Sequence, residues 1–137
     1  MRGKEQLPAG VGGAILMDAG GQLLANLVVN AVDAMTDQGC LQVRVAPARD
    51  WSSGNEGVRI TVADNGSGIP RGSLRQIFEP FYTTKKDTGT GLGLWVSRGI
   101  VQKHQGSIRV RSRAQGEATG TVFSIFLPQC DPVSRVA

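Results

Sequence analysis

The sequence predicts an α/β protein, a two-layer sandwich of a mixed, mainly antiparallel sheet with about three helices on one face. Three observations lead there. Two long stretches, from Asp18 and from Leu92, repeat apolar residues at three- and four-residue steps, the period of a helix with one buried side. Four shorter stretches alternate apolar and polar residues, the period of a half-buried strand. The stretches follow one another within 137 residues, which fits one domain over residues 1–137 with a core of its own.

The elements are expected in this order. "VGGAIL", residues 11–16, is a weak strand candidate. Asp18 caps "AGGQLLANLVVNAVDAM", where Leu23, Leu24, Leu27, Val28, Ala31, Val32 and Met35 share a side. "TDQG" stops that helix and supplies Gly39 beyond it. "CLQVRVA" alternates as a strand, "PARDWSSGNEG" is a polar loop, and "VRITVAD" alternates again with Val58, Ile60 and Val62 on one face. From Asn65 to about Thr90 the pattern is irregular, broken by one expected turn of helix in "SLRQIF". Segments that long without regular structure are functional lids or disordered stretches. The helix "LGLWVSRGIVQKHQ" follows, ended by Gly106. "SIRVRSR" and "GTVFSIFLP" read as two antiparallel strands joined by the turn "AQGEAT", and "QCDPVSRVA" reads as a frayed tail.

Composition narrows the function classes. The chain is 40% hydrophobic and 19% charged, ordinary for a globular protein. No apolar run approaches the roughly 20 residues that span a bilayer. The start, "MRGKEQLPAG", lacks the apolar core of a signal peptide. A cytoplasmic setting without membrane contact by this domain is therefore expected. Cys40 and Cys130 match no metal or redox spacing and read as reduced thiols. The net charge of +4 permits an anionic partner and specifies none. In "RVRSR", Arg109, Arg111 and Arg113 share one strand face. No aromatic residues interleave as in single-strand binders, so a solvated face, without nucleic acid, is the simpler expectation.

Three polar groupings could carry chemistry. Asn26, Asn30 and Asp33 stand four and three residues apart, on one side of an otherwise apolar helix. An asparagine carbonyl is a hard oxygen ligand suited to Mg²⁺, although a wet helix face would look the same. In "ADNGSGIP", Asp64 ends a strand and Gly66 and Gly68 follow. A carboxylate there can accept from an exocyclic amine while the glycines admit a flat ring, although Asn-Gly is also a common turn. In "GTGTGLGL", Gly89, Gly91 and Gly93 run into a helix N-terminus, a natural anion site. Neither the P-loop nor the dinucleotide spacing is present.

The three groupings in this order resemble the ATP-binding domain of sensor histidine kinases, in the superfamily shared with gyrase, heat-shock chaperones and mismatch-repair ATPases. "NLVVNAVDAM" resembles the N box, "DNGSGIP" the G1 box, "IFEPFYTTK" the F box and "GTGLGL" the G2 box, and the resemblance covers about residues 10 to 128. "FEPF" followed by "TTK" is similar to histidine kinases rather than to gyrase or the chaperones. The resemblance implies a long ATP lid and two ligands, ATP and Mg²⁺. It makes Asn30 the Mg²⁺ ligand and puts Asn26, and with it Asp33, near metal and phosphates. Asp64 would bind the adenine amine, with Gly66, Gly68 and Ile69 shaping the pocket and Thr121 near the base. Gly89, Thr90, Gly91 and Gly93 would form the hinge and phosphate-facing turn, with Leu92 and Leu94 anchoring the helix. Lys85 on the lid, beside Lys86, could reach the γ-phosphate. Phe78, Phe81 and Tyr82 are expected to pack the lid onto the body.

Hydrolysing relatives carry a glutamate as general base where this chain has Asn26; an amide cannot take that proton, so transfer to a protein is implied. The acceptor would be a histidine on a dimerisation domain, a partner that this chain lacks, with a response regulator downstream. The single histidine, His104, reads as a helix-terminal residue. Where the family has "KHGG", this chain has "KHQG", with Gln105 in place of a glycine. The rival expectation is a nucleotide-binding regulatory module without transfer activity.

Overall fold

A computed structural model describes residues 20–36, 38–50, 52–82 and 92–129. Helix α1 runs Gly20–Ala34, strand β1 Leu41–Arg49, β2 Glu56–Asp64, helix α2 Gly93–Lys103, β3 Ser107–Arg113 and β4 Gly120–Pro128. A short 3₁₀ turn, Arg71–Ser73, stands between β2 and α2. The strands form one sheet in the order β1-β2-β4-β3, every neighbouring pair antiparallel. Among the described residues there are two α-helices and the 3₁₀ turn against the expected three or so. The strand candidate at residues 11–16 and the cap Asp18 lie outside the described residues.

Period-2 alternation sorts the side chains. Val58, Ile60 and Val62 of β2 and Phe123, Ile125 and Leu127 of β4 are buried on one face. Leu23 and Leu27 of α1 and Val101 of α2 close over them. The α1 apolar stripe is narrower than expected at one position: Val32 is 54% exposed, because α1 meets the sheet and α2 along one side only. Register places Arg44, Arg59, Arg109 and Arg111 on the opposite face, as the alternation of "RVRSR" required. Arg44 and Arg109 lie on the outer strands, where charge keeps other chains from pairing with the edge.

The β1–β2 hairpin is longer than expected. "PARD" was assigned to a loop, yet Pro47 pairs with Val58 and Arg49 with Glu56. Proline tolerates an outer strand because it has no N–H to leave unpaired. The Arg49–Glu56 ion pair, 3.1 Å, and the bond from Asp50 N to Asn55 O, 2.8 Å, close the hairpin.

Helix α2 stops at Lys103 rather than at Gln105. His104 is its C-cap, and Gln105 takes φ +61°, the left-handed conformation that usually belongs to glycine. Gly106 N donates to Val101 O and Gln105 N to Gln102 O, both 2.9 Å, the paired bonds of a Schellman end. His104 Nδ1 donates to Ile100 O at 2.8 Å. The lone histidine therefore ties down a helix end.

Candidate nucleotide-binding site

The site is assembled around α1, whose start meets α2 and whose end meets the loop after β2. Asn26 Nδ2 donates to Gly93 O at 3.2 Å, across 67 residues of sequence. Ser97 Oγ, from a fully buried residue, donates to the same carbonyl at 2.8 Å. Two side chains thus fix the first turn of α2. Its N-cap, Leu92, has no hydrogen-bonding side chain to occupy that turn. Leu94 packs against the core as expected, while Leu92 is half-buried and stands outside the core cluster.

At the other end of α1, Ser67 N donates to Ala34 O, 2.9 Å, satisfying a carbonyl of the last helical turn. Three more bonds hold this loop: Cys40 N to Asn65 Oδ1, 2.7 Å; Thr119 Oγ1 to Gly66 O, 2.6 Å; and Ile69 N to Ser112 Oγ, 2.6 Å. The glycines of "DNGSGIP" have a reason beyond admitting a ring. A Cβ on Gly66 would come within 2.4 Å of Ala34 O. Gly68 has φ +78°, and its Cβ would meet Arg113 O at 2.1 Å. Both are required for the loop to lie against its neighbours at all.

Asp64 stands at the start of this loop, at the end of β2 and paired in register with Thr121. Gly66 N donates to its Oδ1 at 2.8 Å, and the Thr121 N–H also points at the carboxylate. Burial raises the Asp64 pKa above the ordinary carboxylate value, with those two N–H groups opposing the rise. A half-buried carboxylate that keeps free acceptor capacity can bind a donor such as an exocyclic amine. Leu41, Asp64, Thr121 and Ser112 form one cross-strand row on the helix side of the sheet.

Asn26 and Asn30 are half-buried and Asp33 is exposed along one side of α1. Among the described residues no three His, Cys, Asp or Glu side chains gather into a metal cage. An ion held by Asn30 would therefore complete its shell with phosphate oxygens and water, which is how Mg²⁺ commonly sits. Lys85, Lys86, Gly89, Thr90 and Gly91 lie outside the described residues, as does Cys130; Cys40 is free and exposed.

The F-box aromatics divide. Phe78 packs edge-on against Phe123, centroids 6.4 Å apart, and carries the Arg98 guanidinium 5.8 Å above its ring. Tyr82 also packs against the core. Phe81 does not: it is 74% exposed with φ +67°. With its ring in water, the expected packing role fails there. Asn65, Ser112 and Thr119 went unnoticed in the sequence. Ser112 had left a sign, sharing the inward parity of Ile108 and Val110 within "SIRVRSR".

This arrangement, a two-layer sandwich with an asparagine-bearing helix bridging an acidic strand end and a glycine-opened helix, defines a nucleotide-binding class of domain. The chain belongs to the family described as Histidine kinase-, DNA gyrase B-, and HSP90-like ATPase, which it matches over residues 18–131. It is 45% identical over 107 residues to the sensor histidine kinase ZraS of Salmonella typhimurium, covering 78% of this chain and 21% of that protein. It is 41% identical over 108 residues to sporulation kinase A of Bacillus subtilis, covering 79% and 16%. Of solved structures, it is similar to a mycobacterial sensor histidine kinase, MprB, at TM-score 0.67 and 29% identity over 79% of this chain and 68% of that one. It is also similar to full-length ShkA in complex with AMPPNP, at TM-score 0.59 and 30% identity over 81% and 22%. The chain thus spans about a fifth of the first of these curated relatives and less of the second. No helix among the described residues is long and apolar enough to cross a membrane.

Proposed function

We propose that this chain binds Mg²⁺-ATP and passes the γ-phosphoryl group to a histidine on a dimerisation domain outside it, as the catalytic part of a two-component kinase serving a response regulator. The observation that carries the proposal is the Asp64 carboxylate, held by the Gly66 N–H of a loop pinned at four points and faced by the Thr121 backbone N–H of β4. That is the preorganised acceptor an adenine amine needs. Ile69 lines the pocket and Thr121 completes its base end. Asn30 would hold Mg²⁺, whose charge would offset that of the phosphates. The first turn of α2, from Leu92 and Gly93, faces them with its dipole, and Gly89, Thr90, Gly91 and Lys85 would complete the phosphate side. Asn26 donates one amide proton to Gly93 O and has no basic group for water activation, which supports transfer over hydrolysis. Phe81 and Trp95, 74% and 45% exposed, are large apolar side chains that a docking acceptor domain would cover.

The test is to mix the chain with γ-labelled ATP and a separately made histidine-bearing dimerisation domain. Acid-labile label on the partner supports transfer. Nucleotide binding without label on the partner would leave a regulatory module instead.

A further inference from the structure

We infer that Ser112 fixes the hydrogen-bond polarity at the base end of this site, making it accept from a 6-aminopurine and reject a 6-oxopurine. The inference rests on the proposed role of Asp64 and Thr121 at the adenine end. Ser112 Oγ makes three contacts: Ile69 N at 2.6 Å, Gly120 O at 3.0 Å and Thr121 Oγ1 at 2.7 Å. The backbone N–H can only donate, and the carbonyl can only accept. A serine hydroxyl has one proton and two lone pairs. Its proton goes to Gly120 O and one lone pair takes the Ile69 N–H. The remaining lone pair then takes the Thr121 hydroxyl proton. That is the one assignment that satisfies all three contacts.

Thr121 has thereby committed its only hydroxyl proton and keeps lone pairs alone. It is 4% exposed, so bulk water does not compete for that proton. Beside it in the same cross-strand row stands Asp64, an acceptor when ionised. Two neighbouring side chains therefore both accept. An exocyclic amine donates into such a pair. A 6-oxo group would set its own lone pairs against theirs and leave buried polar atoms unmatched, the situation that discriminates most strongly between analogues. Ser112 acts through Thr121 and is a positioning residue; its bond to Ile69 also ties the Asp64 loop to β3.

The experiment measures ATP and ITP affinities by competition against a fluorescent ATP analogue. The wild-type chain is expected to prefer ATP by about tenfold or more. Ser112→Ala frees the Thr121 proton to turn toward a 6-oxo group, so the preference should narrow about fivefold or more, while Ser112→Thr retains it. Equal wild-type affinities for ATP and ITP would overturn the inference, as would Ser112→Ala weakening both nucleotides alike, the mark of a merely structural anchor. If Ser112→Ala does not fold by circular dichroism, Thr121→Val decides: a narrowed preference supports the inference and an unchanged one overturns it. Failure of the wild-type chain to bind ATP would sink the proposed function itself, and shows before any variant is made.

Discussion

At Asp64, binding and folding pull in opposite directions. A hydrogen bond to a charged group contributes about 1.5–3 kcal/mol, and about 1.4 kcal/mol is tenfold in affinity. Asp64→Asn is expected to weaken ATP binding roughly 10- to 100-fold in a fluorescent-nucleotide titration. The same change should not cost stability without nucleotide. Burial raises the folded-state pKa of this carboxyl, so the fold favours its protonated form. That contribution is fully present below the unfolded value, about 3.9, and is lost as pH rises through the folded value. At pH 7 the ionised carboxylate is therefore a burden that asparagine removes. Thermal melts at pH 7 should place Asp64→Asn at or above wild type, the gap closing toward pH 3. A mutant clearly less stable at pH 7 would show that the N–H bonds from Gly66 and Thr121 outweigh burial. Asn30→Ala addresses the metal instead: its ATP affinity should no longer respond to EDTA, whereas the wild type's should fall.

Among the elements, α2 carries an avoidable strain at its C-terminus. Gln105 occupies the left-handed position of a Schellman end at φ +61°. A Cβ there costs about 1–2 kcal/mol, and glycine returns part of the gain as chain entropy, about 0.4–1 kcal/mol. Gln105→Gly should stabilise the protein by about 0.5–1 kcal/mol, raising Tm by a few degrees without changing nucleotide affinity. A lower Tm would mean that the Gln105 side chain contributes more than its backbone costs. The first turn of the same helix is held by Asn26 and Ser97 on one carbonyl, so α1 cannot shift without carrying the start of α2 with it.

For the molecule as a whole, the chain should bind ATP yet not label itself. Helix α2 has 11 residues, Gly93–Lys103, and at about 1.5 Å per residue spans roughly 16 Å. His104 lies at its far end, bonded to Ile100 O, while in-line transfer needs the acceptor nitrogen within about 3–3.5 Å of the phosphorus. Labelled ATP alone should leave no acid-labile phosphate; self-labelling abolished by His104→Ala would overturn this assignment. The exposed ring of Phe81 belongs to the same scale. Phe81→Ala should leave ATP affinity within about twofold, because the ring makes no core contact, but should lower label on an added dimerisation domain. Unchanged partner labelling would remove Phe81 from the docking surface.

Whatever depends on local periodicity could be read from the chain alone. The inward set Val58, Ile60, Val62 and the bounds of β3 and β4 followed from alternation, because a strand's side-chain period is two wherever the strand lies. The asparagine ladder, Asp64 and the glycine run stood out in the sequence as candidates, and of these the structure joins Asn26 to Gly93 while Gly89 and Gly91 lie outside the described residues. Tertiary structure decided what depends on neighbours distant in sequence. Pro47 belongs to β1 because β1 proved to be an outer strand. Gly66 and Gly68 are needed because the Ala34 and Arg113 carbonyls lie against them. Phe81 faces water while Phe78 and Tyr82 of the same segment pack on the core, a division the residue types do not announce. Ser112 reaches Ile69 and Thr121, 43 and 9 residues away, only once β3 has paired with β4. Periodicity is a property of a segment, whereas a hydrogen bond across the fold exists only after the segments meet.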